Sequence, residues 1–153
     1  MPQVRTKTLP LSKVFADPKL HKQLRKLTLD HWSGMNYELN YLERASEMRS
    51  IDAKAILALV DDKIAGWALL SNEDGANCIY ESNHGAGFTS YRSFQGSLFE
   101  IYVSRSYRKQ GVGTAILKKA KRLTPRKKLV VVPWDKTSRD FYAKSGGSKL
   151  YHL

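Results

Sequence analysis

The sequence predicts a single α/β domain over residues 1–153, built on a mixed sheet. Three observations carry this reading. Two apolar runs flank the turn pair Asp61-Asp62, as in a hairpin. In the second half, strand-like runs alternate with helix-like stretches, which implies a sheet layered with helices. The length of 153 residues suffices for one hydrophobic core and is short for two.

The elements follow in order. Residues 16–28 set Leu20, Leu24 and Leu27 at helical spacing, with Asp17 able to cap and Pro18 suited to the first turn. A short stretch with Trp32, Gly34 and Met35 follows, and residues 37–47 read as a second helix. Residues 55–60 are apolar throughout and predict a buried strand, with residues 63–71 as its hairpin partner. Residues 72–96 are rich in Gly, Ser and Asn and include Glu81, His84, Tyr91 and Phe94. A connection this long inside a compact domain tends to be functional or mobile. Residues 97–103 form the next strand. Residues 111–122 form a helix with Val112, Ala115, Ile116 and Leu117 inward and Lys118, Lys119, Lys121 and Arg122 mostly outward. Residues 129–132 form a buried strand halted by Pro133, and residues 136–145 a short helix ended by Gly146-Gly147. Residues 148–153 leave room for one more strand.

Composition narrows the class. Hydrophobic residues make up 42% and charged residues 26%, as in ordinary soluble proteins. No apolar run reaches the length of a membrane span, and the first residues lack the apolar core of an export signal. The single cysteine, Cys78, has no internal disulfide partner, and no Cys/His cluster has zinc-ligand spacing. The expectation is a cytoplasmic protein with no metal and no membrane partner.

Charge is unevenly placed. The net charge is +12, and residues 101–153 carry all of it, with 14 Lys/Arg against 2 Asp/Glu. Residues 51–100 are acidic, with 3 basic and 7 acidic residues. A localised excess of this kind marks an anionic partner, either a phosphorylated cofactor or a nucleic acid, or else a solvated basic surface.

The chemistry concentrates in residues 101–115. An apolar strand ends, a basic loop with Arg108 and Lys109 follows, and Gly111 and Gly113 open a helix. Glycine lets the backbone approach a ligand closely. The first N–H groups of a helix have no acceptor inside it, and the helix dipole is positive at that end. Together these make a phosphate site. The P-loop spacing is absent, and Ile116 stands where a dinucleotide fingerprint needs its third glycine.

Residues 108–113 (Arg-Lys-Gln-Gly-Val-Gly) resemble the Arg/Gln-x-x-Gly-x-Gly/Ala signature of the GNAT superfamily of N-acetyltransferases. Residues 135–146 resemble that family's closing pattern, Asn-x-x-Ala-x-x-Phe-Tyr-x-Lys-x-Gly, with Asp135 and Ser138 replacing Asn and Ala. Asp lacks the amide donor of Asn. The resemblance spans about residues 50–147 and implies a GNAT-like, largely antiparallel twisted sheet flanked by helices. Against that family the C-terminus is shortened by a strand, and the sheet edge it leaves is expected either to be exposed or to be completed by the second subunit of a homodimer.

The resemblance further implies an acetyl-CoA-dependent transfer of an acetyl group to a primary amine, by direct attack in a ternary complex. The loop from Arg108 through Lys109, Gln110, Gly111, Val112 and Gly113 to Thr114 would hold the pyrophosphate. The backbone at Ile101, Tyr102 and Val103 would pair with the pantetheine arm, and Asp135 would make a further cofactor contact. Tyr142 would protonate the leaving thiolate. Glu100 is the first candidate for the base, with Glu81 and His84 as alternatives. In this family the acceptor site draws on the positions of residues 30–37 and 72–96.

The acidic stretch suits a cationic acceptor such as a polyamine, an aminoglycoside or a peptide amine. The basic surplus on residues 118–128 instead suits a nucleic acid, and with it a modified base or aminoacyl-tRNA as acceptor. A non-catalytic module binding CoA or nucleic acid is the alternative from a different class.

Overall fold

The hairpin at the centre of the sequence is also the centre of the sheet. The computed structural model describes residues 3–31, 53–71, 96–98, 101–124, 129–131, 140–141, 144 and 149–150. In chain order the described elements are β1 (Val4–Pro10), α1 (Leu11–Phe15), α2 (Pro18–His31), β2 (Ala53–Val60), β3 (Lys63–Ser71), β4 (Gly96–Leu98) and β5 (Tyr102–Val103). A 3-10 turn (Arg105–Tyr107), α3 (Val112–Leu123), β6 (Leu129–Val131) and β7 (Lys149–Leu150) follow. Asp140, Phe141 and Lys144 are helical, within the span where the sequence predicts a short helix. The predicted helix at residues 37–47 lies outside the described residues.

The sheet runs β1-β2-β3-β4-β6-β7, with β5 also paired to β3. The pairings β1/β2, β2/β3, β3/β4 and β3/β5 are antiparallel. Those of β4/β6 and β6/β7 are parallel. The result is the mixed, largely antiparallel sheet expected.

The hairpin forms for a local reason. Val60 pairs with Lys63 across a two-residue turn, and both turn residues have positive φ, 50° at Asp61 and 62° at Asp62. Tight hairpins require such a turn, and Asp tolerates it better than most residues. Asp62 also pairs with Arg5 of β1, tying the turn to the neighbouring strand.

Alternation along the strands gives the sheet two apolar faces. On one, Ile56, Ala58 and Val60 of β2 and Ala68 and Leu70 of β3 pack against Val112, Ile116, Leu117 and Ala120 of α3. On the other lie Ala55, Leu57, Trp67 and Leu69, all buried, on the side of α1 and α2. Helix α2 begins as predicted: the Asp17 carboxylate accepts the Leu20 N–H at 3.1 Å, and Leu24 is buried.

One polar chain crosses the α2 face. Trp67 donates its indole N–H to Thr28 Oγ1 at 3.0 Å, and Thr28 donates to the Leu24 carbonyl at 2.8 Å. Trp67 also stacks on Tyr102 with ring centroids 5.8 Å apart, so the indole joins α2, β3 and β5.

Two elements escape the sequence reading. Strand β1 has only Val4 and Leu9 as large apolar residues, but its β-branched Val4, Thr6 and Thr8 alternate with exposed Arg5 and Lys7. As an edge strand it needs to bury only one side. Helix α1 is too short to show periodicity, although Leu11 and Val14 are both buried.

The expected strand at residues 97–103 is in fact two. Leu98 faces Leu70, whereas Tyr102 faces Trp67. Four chain steps on one side thus match three on β3, so the two pieces are offset by one residue in register. Ile101, expected within the strand, lies outside both pieces.

Thr28→Val should destabilise the protein by about 1–3 kcal/mol, because it leaves the buried Trp67 N–H without its acceptor. Thr28→Ser should retain most of the stability. Urea denaturation of the two variants checks this, and equal stability would mean that the bond contributes nothing.

Candidate functional site

The candidate site forms where β5 leaves the sheet and α3 begins. Its construction starts in β3. The β2/β3 register shifts between Ala58 and Leu59, leaving Ala65 as the extra residue. The Ala65 carbonyl accepts the Ser104 N–H at 2.8 Å, which pins the loop after β5 to the sheet. The 3-10 turn follows, with the Tyr107 N–H bonded to the Ser104 carbonyl at 2.9 Å.

The loop then turns through two left-handed residues, Lys109 at φ 60° and Gly111 at φ 83°. Gly111 is the N-cap of α3 rather than its first helical residue, a shift of one from the predicted start. A β-carbon at Gly111 would meet nothing within 4 Å, so conformation alone calls for glycine there. Having no side chain, Gly111 makes no side-chain cap.

The first intrahelical bond of α3 runs from the Ala115 N–H to the Gly111 carbonyl, at 2.9 Å. The N–H groups of Val112, Gly113 and Thr114 therefore have no acceptor within the helix. The first turn carries no acidic residue, and Arg108 and Lys109 are exposed beside it. The helix dipole adds about half a positive charge at this end. The geometry is that of a site for a phosphate or pyrophosphate.

The predicted cofactor residues divide by what they expose. Arg108, Lys109, Gly111 and Thr114 are exposed, and Gln110 and Gly113 half-buried. Arg108 Nε donates to the Val103 carbonyl at 3.3 Å, and Gln110 Nε2 donates to the Ser106 carbonyl at 3.0 Å. Both side chains thus brace the loop. Tyr102 and Val112 point inward and are buried, so only their backbone atoms can serve a ligand. Ile101 and Val103 pack at the margin of the core against α3. Among the described residues β5 pairs with β3 alone, whereas β4 pairs with both β3 and β6. Among the described residues the β6 ladder reaches Leu98 and does not include Tyr102 or Val103, with which an extended ligand arm could pair as an added strand.

The second sequence motif reaches the same place. Phe141 packs on the α3 cluster, and its ring atom Cζ lies 3.2 Å from where a β-carbon at Gly113 would sit. Gly113 is thus held small by a neighbour and Gly111 by its backbone angle. The remaining expected site residues, Glu81, His84, Glu100, Asp135 and Tyr142, lie outside the described residues.

One site residue escapes the sequence reading. A β-carbon at Gly66 would come within 2.7 Å of the Tyr102 carbonyl oxygen and 2.9 Å of Val112 Cγ1. Its absence lets β5 and the start of α3 close on β3. A lone glycine inside a predicted strand is the available signal, since it often marks close backbone approach. Among the described residues no three His, Cys, Asp or Glu side chains gather as metal ligands. No described helix is long and apolar enough to cross a membrane.

An open α/β sheet with a strand-loop-helix anion site defines a class of proteins that bind phosphorylated ligands. The sequence model of the acetyltransferase (GNAT) family matches residues 21–147, and the chain belongs to that family. It is accordingly an acyltransferase, and the family's acyl donor is acetyl-CoA.

Solved structures share the fold. One is a histone acetyltransferase HPA2 and related acetyltransferase from Corynebacterium glutamicum, at TM-score 0.64 and 16% identity, covering 95% of this chain and 84% of that one. Another is the aminoglycoside N-acetyltransferase AAC(6')-Iy in complex with CoA, at TM-score 0.61 and 14% identity over 100% and 93% of the two chains. A third is a ribosomal-protein-alanine N-acetyltransferase from Brucella melitensis biovar Abortus, at 0.54 and 21% over 93% and 90%. No curated protein matches the chain in sequence.

Gly111→Ala should cost about 1–2 kcal/mol of stability through its left-handed backbone alone. Gly111→Asn should cost less, because Asn tolerates that region. Gly66→Ala should cost about 1–3 kcal/mol by overpacking. Denaturant midpoints compare the three, and equal effects of Ala and Asn at Gly111 would contradict the conformational reading.

Proposed function

We propose that the chain is an N-acetyltransferase that moves the acetyl group of acetyl-CoA to a primary amine by direct attack in a ternary complex. One observation carries the proposal: the two sequence motifs meet at the start of α3, where Phe141 packs against Gly113 beside the uncapped amides. This placement supports a role for Tyr142, the next residue, near a thioester bound through the loop.

The residues present fit the donor. The amides of Val112, Gly113 and Thr114 and the charges of Arg108 and Lys109 suit its pyrophosphate. The edge at Tyr102 and Val103 suits an extended arm bearing amide groups. The register offset between β4 and β5 interrupts the ladder beside that edge. An N–H released there would stabilise the carbonyl oxygen in the transition state, an effect worth about 3–4 kcal/mol in other enzymes.

A lysine-like amine has a pKa of about 10.4, so at neutral pH it must lose a proton before attack. Glu100 is the proposed base, with Glu81 and His84 as alternatives. As the C–N bond forms and the C–S bond breaks, Tyr142 gives its proton to the departing thiolate, and the second proton lost by the nitrogen restores the phenol.

The acceptor is proposed by class. The acidic stretch before β5 favours a cationic amine, and the fold is shared with enzymes acting on aminoglycosides and on a ribosomal protein. A second reading, a nucleic-acid-linked amine, draws on the exposed Lys118 and Arg122 of α3.

Thiol release from acetyl-CoA should be stimulated by at least one amine in a panel of polyamines, aminoglycosides, peptides and aminoacyl-tRNA. Tyr142→Phe should lower turnover by about 10²-fold or more while acetyl-CoA still binds. Binding of acetyl-CoA with no turnover on any amine, and no effect of Tyr142→Phe, would instead indicate a non-catalytic binding module.

A further inference from the structure

A groove of about 1080 Å³ opens on the α2 side of the sheet, apart from the uncapped amides of α3. Half-buried aliphatic side chains lie at its base: Leu9, Leu59 and Ile64 from the strands, and Leu20 and Leu27 from α2. Its margins carry the exposed cations Lys7, Lys19, Lys26, Lys63 and Arg105. Asp17 and Asp62 also border it, but both already have partners. Asp17 accepts the Leu20 N–H, and Asp62 is paired with Arg5. With Arg108, six cations stand against these two carboxylates in the lining, so the rim presents a surplus of positive charge over an apolar floor.

We infer that this groove docks an acidic, amphipathic polypeptide segment, with aliphatic side chains on the floor and carboxylates on the rim. The distribution of charge argues against a small anion. Lys19 and Lys26 stand about 10 Å apart along α2. Lys7, Lys63 and Arg105 face them from the sheet side. An elongated polyanion meets such a spread, whereas a single phosphate meets only one part of it.

The floor argues against a nucleic acid. Single strands gain affinity by stacking bases on aromatic rings. The described lining residues include no aromatic side chain. Leu, Ile and Val side chains are instead the complement of the apolar face of a peptide helix. The lining of the groove includes Val103 and Arg108, both residues of the proposed cofactor site, so its occupant would lie beside that site.

The test uses the full chain and fluorescence anisotropy. The probe is a labelled helical peptide with one glutamate face and one leucine face. A second peptide has serine in place of leucine, and single- and double-stranded RNA and DNA complete the set. The Glu/Leu peptide should bind with an affinity that falls as salt rises. The double variant Lys19→Glu/Lys26→Glu should weaken it by about tenfold or more, consistent with paired charges at a rim. Lys118→Glu/Arg122→Glu, with the same change in net charge on α3, should leave it unaltered.

The inference fails if the Glu/Leu peptide does not bind, if both double variants act alike, or if the serine peptide binds equally well. It also fails if a nucleic acid binds more tightly and loses that affinity in Lys19→Glu/Lys26→Glu. None of these outcomes bears on turnover with acetyl-CoA, so the docking surface and the proposed catalysis stand or fall separately.

Discussion

At Gly66 a strand, its neighbour and a helix meet with no room for a methyl group. The Tyr102 carbonyl and the Val112 side chain both occupy the space a β-carbon would need. This contact sets the height of α3 above the sheet and the distance of β5 from β3. The loop between β5 and α3 is held at both ends as a consequence. Ser104 is tied to the bulged Ala65, and the amides of the first helical turn emerge at a fixed distance from the edge of β5. Any larger residue at Gly66 would displace both halves of the candidate site together.

The two faces of the sheet are stabilised differently. The α3 face is almost wholly aliphatic, and its order rests on close packing. The α2 face is anchored by the Trp67 indole, which is buried, stacked on Tyr102 and hydrogen-bonded to Thr28. A directional bond of this kind fixes the roll of α2 where apolar contact alone would let it slide. Beyond that anchor, Leu20 and Leu27 stay only half-buried, and the groove opens there. The proposed anion loop and the cationic groove thus meet at Arg108.

Charge was legible as an amount and misleading as a location. The sequence puts the net surplus in residues 101–153, and only part of it falls at the start of α3. The groove draws its cations mainly from residues 1–100, a part of the chain whose formal charges balance overall. There, folding gathers Lys7, Lys19, Lys26 and Lys63 around one groove, with Asp17 and Asp62 as the acidic residues among its described lining. Linear sums of charge do not reveal this gathering, because it depends on which side chains the tertiary structure brings together.

The sequence by itself determined the elements whose causes are local. The hairpin follows from two apolar runs around Asp61-Asp62, the start of α2 from Asp17 and Pro18, and the anion-binding helix start from its glycines and basic residues. The closing motif and the glycine motif together also made the family legible. Tertiary structure decided what depends on partners distant in the chain. Strand β1 is a strand because β2 offers it an edge, and its own residues bury too little to announce it. The break between β4 and β5 is visible only against the register of β3. The inward turn of Tyr102 depends on Trp67, and the need for Gly66 on Val112, contacts that no local pattern encodes.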